Sequence, residues 1–354
     1  MTPSTKTTAI TNARVFNGTT FSPPTTITIT GALISTPEQT PTHTIDAKGA
    51  YLLPGLIDAH IHLSGPEDLA TMARHGITTA LDMATWPIER LTALRNQKGL
   101  TDIRGCGLAA CGPGSAHSHI PGRPDDAVVS SPAQGRRFVL DRLAEAADYI
   151  KIVADVPGPT QETLDAMVGA AHEHGKLVIA HAVTVEATRM AQAAGVDVVT
   201  HAPVDGLMSA EEVGEMVRAG RVSVPTLTMM RGVCARRGAD YAVSRMNVEA
   251  LFRAGVVVLA GTDSNRAPGV PAAVEHGVSL HEELELLVEC GLSTAEVLRA
   301  ATCLTAEVFG LRDRGRILPG LRADLLLVDA NPLEDIRATR GIVKVWLGGL
   351  EYAL

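Results

Sequence analysis

Eight short apolar runs, separated by amphipathic stretches rich in Ala, Glu and Arg, constrain this chain most. They occupy 56–62, 76–83, 103–111, 149–155, 177–182, 196–202, 222–230 and 256–263. Continuous apolar runs of this length, bounded by turn residues, read as strands buried on both faces. Helical patterns lie between most of them. The stretch 160–174 opens at Thr160 with Thr163 three residues on, 184–194 opens at Thr184, and Gly175 and Gly195 stand where helices stop. Strands alternating with helices in this way predict an α/β fold, a (β/α)8 TIM barrel. The alternative is a doubly wound open sheet, and no Gly-x-Gly-x-x-Gly follows an early strand to support it. Residues 279–309 add two further helices. Glu282, Glu283, Glu285 and Glu289 line a polar face of the first, and Ser293 with Glu296 forms a capping box at the start of the second.

The two ends of the chain have a different texture. Residues 6–50 are rich in Thr, Ile and Val, with turn signals at Asn17-Gly18, Pro23-Pro24, Gly31 and Pro37. Residues 25–30 alternate Thr and Ile, as a half-buried strand does. After Gly315 short strands return at 323–329 and 342–348. The simplest packing joins residues 1–52 and 315–354 in one small β-sandwich domain beside a barrel of residues 53–314.

Composition excludes several functions. A length of 354 residues suits one barrel with a small second domain. The net charge of −8 gives no electrostatic reason to expect nucleic acid or an anionic membrane as partner. Aromatic residues, at 3%, are too few for a base-stacking surface. No apolar run approaches the roughly 20 residues that span a bilayer, and no secretory-type apolar segment follows Met1–Lys6. The five cysteines are scattered, without a Cys-x-x-Cys, and read as reduced thiols. Cys111 stands out among them because it falls at a predicted strand end. A cytoplasmic protein with a small-molecule substrate, assembled as a homo-oligomer, is the expectation.

In barrels of this kind the chemistry sits at the C-terminal ends of the strands. The first run ends in His60-Ile61-His62. Strand alternation turns both imidazoles to one face, which makes a pair of metal ligands. The fourth run carries Lys151 among Tyr149, Ile150, Ile152 and Val153, where an unpaired ammonium is costly. The fifth ends in His181, the sixth in His201 and the eighth in Asp263. Each has an ordinary explanation taken singly: a hydrogen-bonded rim histidine, a local ion pair, a helix cap. Four histidines, a lysine and an aspartate at the same face of one barrel point jointly to a metal centre.

Pro54-Gly55-Leu56-Ile57-Asp58-Ala59-His60-Ile61-His62 resembles the opening motif of the amidohydrolase superfamily. Ala260-Gly261-Thr262-Asp263-Ser264 resembles its closing motif, and residues 315–325 resemble the tail that re-enters a small β domain. The resemblance covers nearly the whole chain. Within the superfamily the sequence is most similar to imidazolonepropionase-like and prolidase-like members, and Lys151 matches the lysine that is carbamylated in some of them. The resemblance implies two divalent metal ions. His60, His62 and Asp263 hold the first, His181 and His201 the second, and Lys151, carbamylated by CO2, bridges them. Zn2+ comes first for histidine-rich ligation, and Mn2+, Co2+ and Fe2+ are not excluded. The implied reaction is hydrolysis of an amide bond (peptide, N-acyl amino acid or lactam) by a metal-bridging hydroxide, with Asp263 moving the proton to the leaving group.

The loop from Cys111 to Arg123 carries a second His-x-His, His117-Ser118-His119. The family often has a histidine in this loop that polarises the substrate carbonyl. Either residue qualifies; His119 is taken first, as a catalytic and substrate-binding residue, and a third metal ion there is disfavoured. Arg231, after the seventh run, suits a substrate carboxylate. Trp86, Met230 and Tyr241 suit an apolar pocket wall. Their ordinary readings are a surface ion pair for Arg231 and packing for the others. Three alternatives to amide cleavage stand: lactone or ester hydrolysis by the same centre, deamination by a one-metal centre, and an inactive binding barrel. Lys151 speaks against the second, and the complete ligand set against the third.

Overall fold

The computed structural model describes residues 7–36, 40–267 and 270–354. The turn expected at Pro37 and the segment Met1–Lys6 lie outside them. Strands β1 (Thr7–Val15), β2 (Thr25–Thr30), β3 (Leu33–Ser35), β4 (His43–Asp46) and β5 (Tyr51–Pro54) lead into a second set. That set is β6 (Leu56–Ile61), β7 (Ile77–Asp82), β8 (Asp102–Gly105), β9 (Ile150–Val153), β10 (Val178–His181), β11 (Val198–Thr200), β12 (Val222–Val224) and β13 (Val257–Val258). The chain finishes with β14 (Leu325–Val328), β15 (Ile342–Leu347) and β16 (Leu350–Glu351).

Strands β6 to β8 pair in parallel, as do β9 to β13. Two seams join the groups. At one, Ala110 bridges Ile152, and Val153 N–H donates to the Ala110 carbonyl at 2.8 Å. At the other, Ile61 bridges Ser264, and Ala59 N–H donates to Ala260 O at 2.9 Å. The parallel ladder therefore closes into a TIM barrel. Every residue of β6 and β7 is buried, as strands covered on both faces require.

The helices are α1 (Pro66–Arg74), α2 (Ile88–Leu94), α3 (Pro132–Ala144), α4 (Gln161–Glu173), α5 (Val185–Ala194), α6 (Ala210–Arg218), α7 (Leu227–Arg237), α8 (Tyr241–Ala254), α9 (Val278–Glu289), α10 (Thr294–Ala300) and α11 (Cys303–Val308). Local signals set several ends. The Thr160 and Thr184 side chains accept from Thr163 N–H and Ala187 N–H, and Gly195 closes α5 in the left-handed conformation. Among the described residues no helix is long and apolar enough to cross a membrane.

The structure departs from the sequence pattern at three places. The run 222–230 is not all strand: Pro225 follows β12 without an N–H for the ladder, and α7 starts at Leu227. Residues 279–309 form three helices, not two. The carbonyls of Ala300 and Ala301 accept from Ala260 N–H and Ile57 N–H of the barrel, and this draws the chain out of the helix between α10 and α11. Glu283 leaves the expected polar face and is fully buried. Its Oε1 accepts from Leu227 N–H at 2.8 Å and its Oε2 from Thr228 N–H at 2.8 Å, which satisfies the first donors of α7.

Both chain ends do combine, through antiparallel pairing of β14 with β5. They form one continuous sheet, in the order β16-β15-β14-β5-β1-β2-β3 with β4 on β1, and not two separate facing sheets. The reason is that β1 is shared. Its start pairs with β2 and β4, and its end with β5. The sheet curls until Ile34 N–H donates to Leu321 O and Ala323 N–H to Ala32 O, each at 2.8 Å. Ile10, Ile29, Ile34, Leu52, Leu327 and Trp346 share the apolar cluster inside the curl. A larger cluster runs from Leu326 and Val345 into Leu69, Met72 and Leu280, so the sheet and barrel share a core.

Candidate metal centre

The C-terminal mouth of the barrel gathers the polar strand ends. Asp263 Oδ1 lies 3.0 Å from His62 Nε2 and 3.4 Å from His60 Nε2, and its Oδ2 is 3.9 Å from His201 Nδ1. The His201 ring centroid is 5.0 Å from that of His60 and 4.3 Å from that of His181. Lys151 reaches the same space from β9, with Nζ 2.9 Å from Thr200 Oγ1. Its charge is felt by His60, His181 and His201.

Short-range features of the sequence hold these side chains. The Asp58 carboxylate accepts from His60 N–H at 3.1 Å, Thr262 N–H at 3.1 Å and Thr262 Oγ1 at 2.8 Å. One buried group thus ties the first strand of the barrel to its last. Burial pushes the Asp58 carboxyl up to about 7 against those hydrogen bonds. Gly261 permits the approach: a Cβ there would come within 2.9 Å of His60 N. His201, Thr226 and Asp263 all have positive φ, at 78°, 49° and 59°. Left-handed backbone at three non-glycine residues is strain concentrated at one mouth.

The donors suit divalent cations. Burial, reinforced by neighbouring cationic groups, holds His60, His181 and His201 well below the ordinary histidine value, so their rings are neutral and offer lone pairs. His60 Nδ1 is buried without a hydrogen-bond partner among the described residues. His201 Nδ1 is held by Thr226 Oγ1 at 2.8 Å, which leaves Nε2 for a ligand. Burial brings Lys151 down to about 8. Ligand atoms of His60, His62 and Asp263 lie within 4.8 Å of one another, and nitrogen and carboxylate donors at that spacing fit Zn2+ or a similar ion.

A second group adjoins the first. His117, Asp155 and His181 also offer atoms within 4.8 Å of one another. Asp155 Oδ2 accepts from Ser115 Oγ at 2.6 Å and meets His117 Nδ1 at 3.0 Å, while Oδ1 is 3.7 Å from His181 Nε2. Burial acts to raise the Asp155 carboxyl, but the His117 hydrogen bond and the nearby His181 overcome it and hold the group well below the usual carboxylate range. Sequence reasoning missed Asp155. The available signal was its place at the end of the Lys151 run, four residues on.

Residues 51–350 match the Amidohydrolase family. The chain belongs to that family. It is 27% identical over 336 residues to adenine deaminase of Bacillus licheniformis, which covers 90% of this chain and 53% of the relative. It is 25% identical over 362 residues to imidazolonepropionase of Deinococcus radiodurans, covering 88% and 86%. The chain spans about half the length of the adenine deaminases it matches. Its fold superposes with a TM-score of 0.85, at 24% identity, on a Xaa-Pro dipeptidase with bound methionine in the active site, covering 99% of this chain and 100% of that one. A putative prolidase from Bifidobacterium longum gives 0.83 at 25% identity, covering 99% and 96%.

In this amidohydrolase the residues expected to line the pocket separate into two sets. His117 faces the centre, its ring 4.5 Å from that of His181, whereas His119 is exposed. The order expected between them is therefore reversed. The segment Ala116–His119 is a 3-10 turn, and with about three residues per turn, positions two apart point in different directions, unlike on a strand. Arg231 pairs with Glu282 at 2.6 Å on an exposed helix face. Met230 is a core residue on α7, 1% exposed. Tyr241 opens α8 with its hydroxyl buried and, among the described residues, without a hydrogen-bond partner, and burial and then Glu283 push that hydroxyl up. Cys111 is fully buried and bridges Val128. Trp86 is half-buried, with Nε1 3.4 Å from Gly122 O and the Arg123 guanidinium 5.5 Å from its ring centroid.

Proposed function

We propose that this amidohydrolase is a binuclear metal-dependent hydrolase that cleaves the amide bond of a peptide, N-acyl amino acid or lactam. His60, His62 and Asp263 would hold one divalent ion, Zn2+ first among candidates. His181 and His201 would hold the other, with Lys151, as its carbamate, between them. The observation that carries this reading is Lys151: a buried amine lowered to about 8, set among neutral imidazoles and a carboxylate. An amine in that state has the free-base form that adds CO2, and the product is anionic and needs cations beside it.

Divalent cations held by these residues would supply a water made nucleophilic near neutral pH and would polarise a carbonyl. Asp263 accepts the proton of the attacking water at Oδ and returns it to the leaving nitrogen as the C–N bond breaks. Asp58 and the left-handed backbone at Asp263 keep that carboxylate aimed. His117, with Nδ1–H donated to Asp155, would as the imidazolium donate Nε2–H to the carbonyl oxygen on which charge develops.

The likeness to adenine deaminases supplies a second reading, deamination at a one-ion centre. The burial of Lys151 within the ligand ring favours the two-ion reading. Metal analysis separates them, with about two ions per chain expected for the hydrolase and a steady single ion for the deaminase. A panel of dipeptides, N-acyl amino acids, lactams, lactones and adenine then identifies the bond. Turnover of adenine alone would overturn the amide reading.

A further inference from the structure

Arg123 is a partly buried cation with no carboxylate in ion-pair reach among the described residues. It closes the loop that carries His117. Nη1 donates to Ala109 O at 2.7 Å, and the Arg123 N–H to Ile120 O at 3.1 Å. The guanidinium carbon lies 5.5 Å from the Trp86 ring centroid. Among the described residues, Nε is buried without a partner and no group takes Nη2. Burial lowers the guanidinium from its ordinary value.

The ordinary explanation is a loop clamp onto Ala109. That bond occupies one of five N–H donors. It accounts neither for a partly buried cation without a counter-charge among the described residues nor for the aromatic plate beside it. The position also matters. The loop is anchored at the centre, because Ser115 and His117 both bind Asp155. Cys111, at the start of the same loop, lies within electrostatic reach of both Arg123, which lowers its thiol, and Asp155, which raises it. Arg231, the residue expected to take a carboxylate, already has Glu282.

We infer that Arg123 and Trp86 form a subsite for a carboxylate of the substrate, reached through Nη2. The inference rests on the proposed amide hydrolysis and narrows it to substrates with a free carboxylate, N-acyl amino acids or dipeptides. Neutral lactams and amides lack the group that the guanidinium requires.

Trp86 allows a test that does not depend on turnover. The other tryptophan, Trp346, is 1% exposed inside the curled sheet, so Trp86 dominates any ligand-induced change in emission. The full, metal-loaded chain is titrated with N-acetyl-L-alanine and with its neutral counterpart N-acetyl-L-alaninamide. The acid is expected to act at concentrations about tenfold lower than the amide, in line with one charge-assisted hydrogen bond. Arg123→Met should erase the difference and leave the response to the amide as it was. Should that variant not fold, Arg123→Lys decides: it should weaken the acid severalfold and spare the amide. Equal responses to acid and amide in the parent chain, no response to either, or an unaltered preference in the variant overturn the subsite. An acid preference at Trp86 with no amide hydrolysed would leave the subsite standing and overturn the hydrolase reading.

Discussion

Lys151 Nζ donates to Thr200 Oγ1 at 2.9 Å, although β10 lies between their strands. The bond crosses the barrel interior, and both residues are buried. Thr200 Oγ1 lies 3.1 Å from the Ala180 carbonyl and donates to it, so a lone pair is left to face the lysine. This arrangement holds the amine in place before any modification. Lys151→Ala should remove one of the two proposed ions and lower hydrolysis by at least about a hundredfold, and added short carboxylic acids should partly restore it. Thr200→Val should weaken metal binding by roughly tenfold or more, as loss of a supporting hydrogen bond does. Metal analysis after dialysis reads both, and full metal content in Lys151→Ala would remove the bridging role.

Asp263 touches His60 and His62 while its backbone is held in a left-handed conformation. Asparagine keeps the shape and one oxygen but cannot take a proton. Asp263→Asn should therefore cut turnover by roughly 10²–10⁴, the range of a general base, with the fold intact by circular dichroism. Unchanged turnover in a metal-replete variant would exclude Asp263 as the proton carrier.

His117 and His119 are two residues apart, yet one meets Asp155 at 3.0 Å and the other is exposed. His117→Ala and Asp155→Asn should each lower kcat/KM by at least about tenfold, because the first removes the donor and the second its orientation. His119→Ala should stay within about twofold. A larger loss at His119 than at His117 would reverse the assignment.

These contrasts show which parts of the molecule local sequence encodes. His60, His62, His181, His201 and Asp263 were legible as one face because strand alternation and the direction of barrel strands are fixed geometry. Thr160, Thr184 and Ser293 were legible because a cap is settled within four residues. Glu283 was not, since its partners are the N–H groups of Leu227 and Thr228, more than fifty residues away. Asp155 was hidden for the same reason, with His117 thirty-eight residues back. The choice between His117 and His119 needed the pitch of a 3-10 turn that no periodic pattern announces. The curled sheet needed the knowledge that β1 serves two neighbours along its length.

His281 makes the joint between barrel and C-terminal segment sensitive to acid. It lies buried in α9, with Nε2 donating to His75 O at 3.0 Å and Nδ1 2.9 Å from Thr339 Oγ1. Around it are His75 at the end of α1 and Arg340, which is itself paired with Glu285. Burial, and then Arg340, bring His281 down to about 3 from an ordinary 6.5. Between those values the unfolded chain binds the extra proton and the folded chain does not. Stability therefore rises with pH across this window, and as pH falls below about 6.5 it is lost by up to about 1.4 kcal/mol per pH unit. Urea midpoints of the chelator-treated chain between pH 7.5 and 4.5 measure the slope without a contribution from metal release. The buried histidines at the barrel mouth add their own slope equally to parent and variant, so the difference isolates His281. His281→Gln, which keeps a donor and an acceptor but no titrating ring, should give the shallower slope; parallel slopes would show that His281 takes up its proton without unfolding.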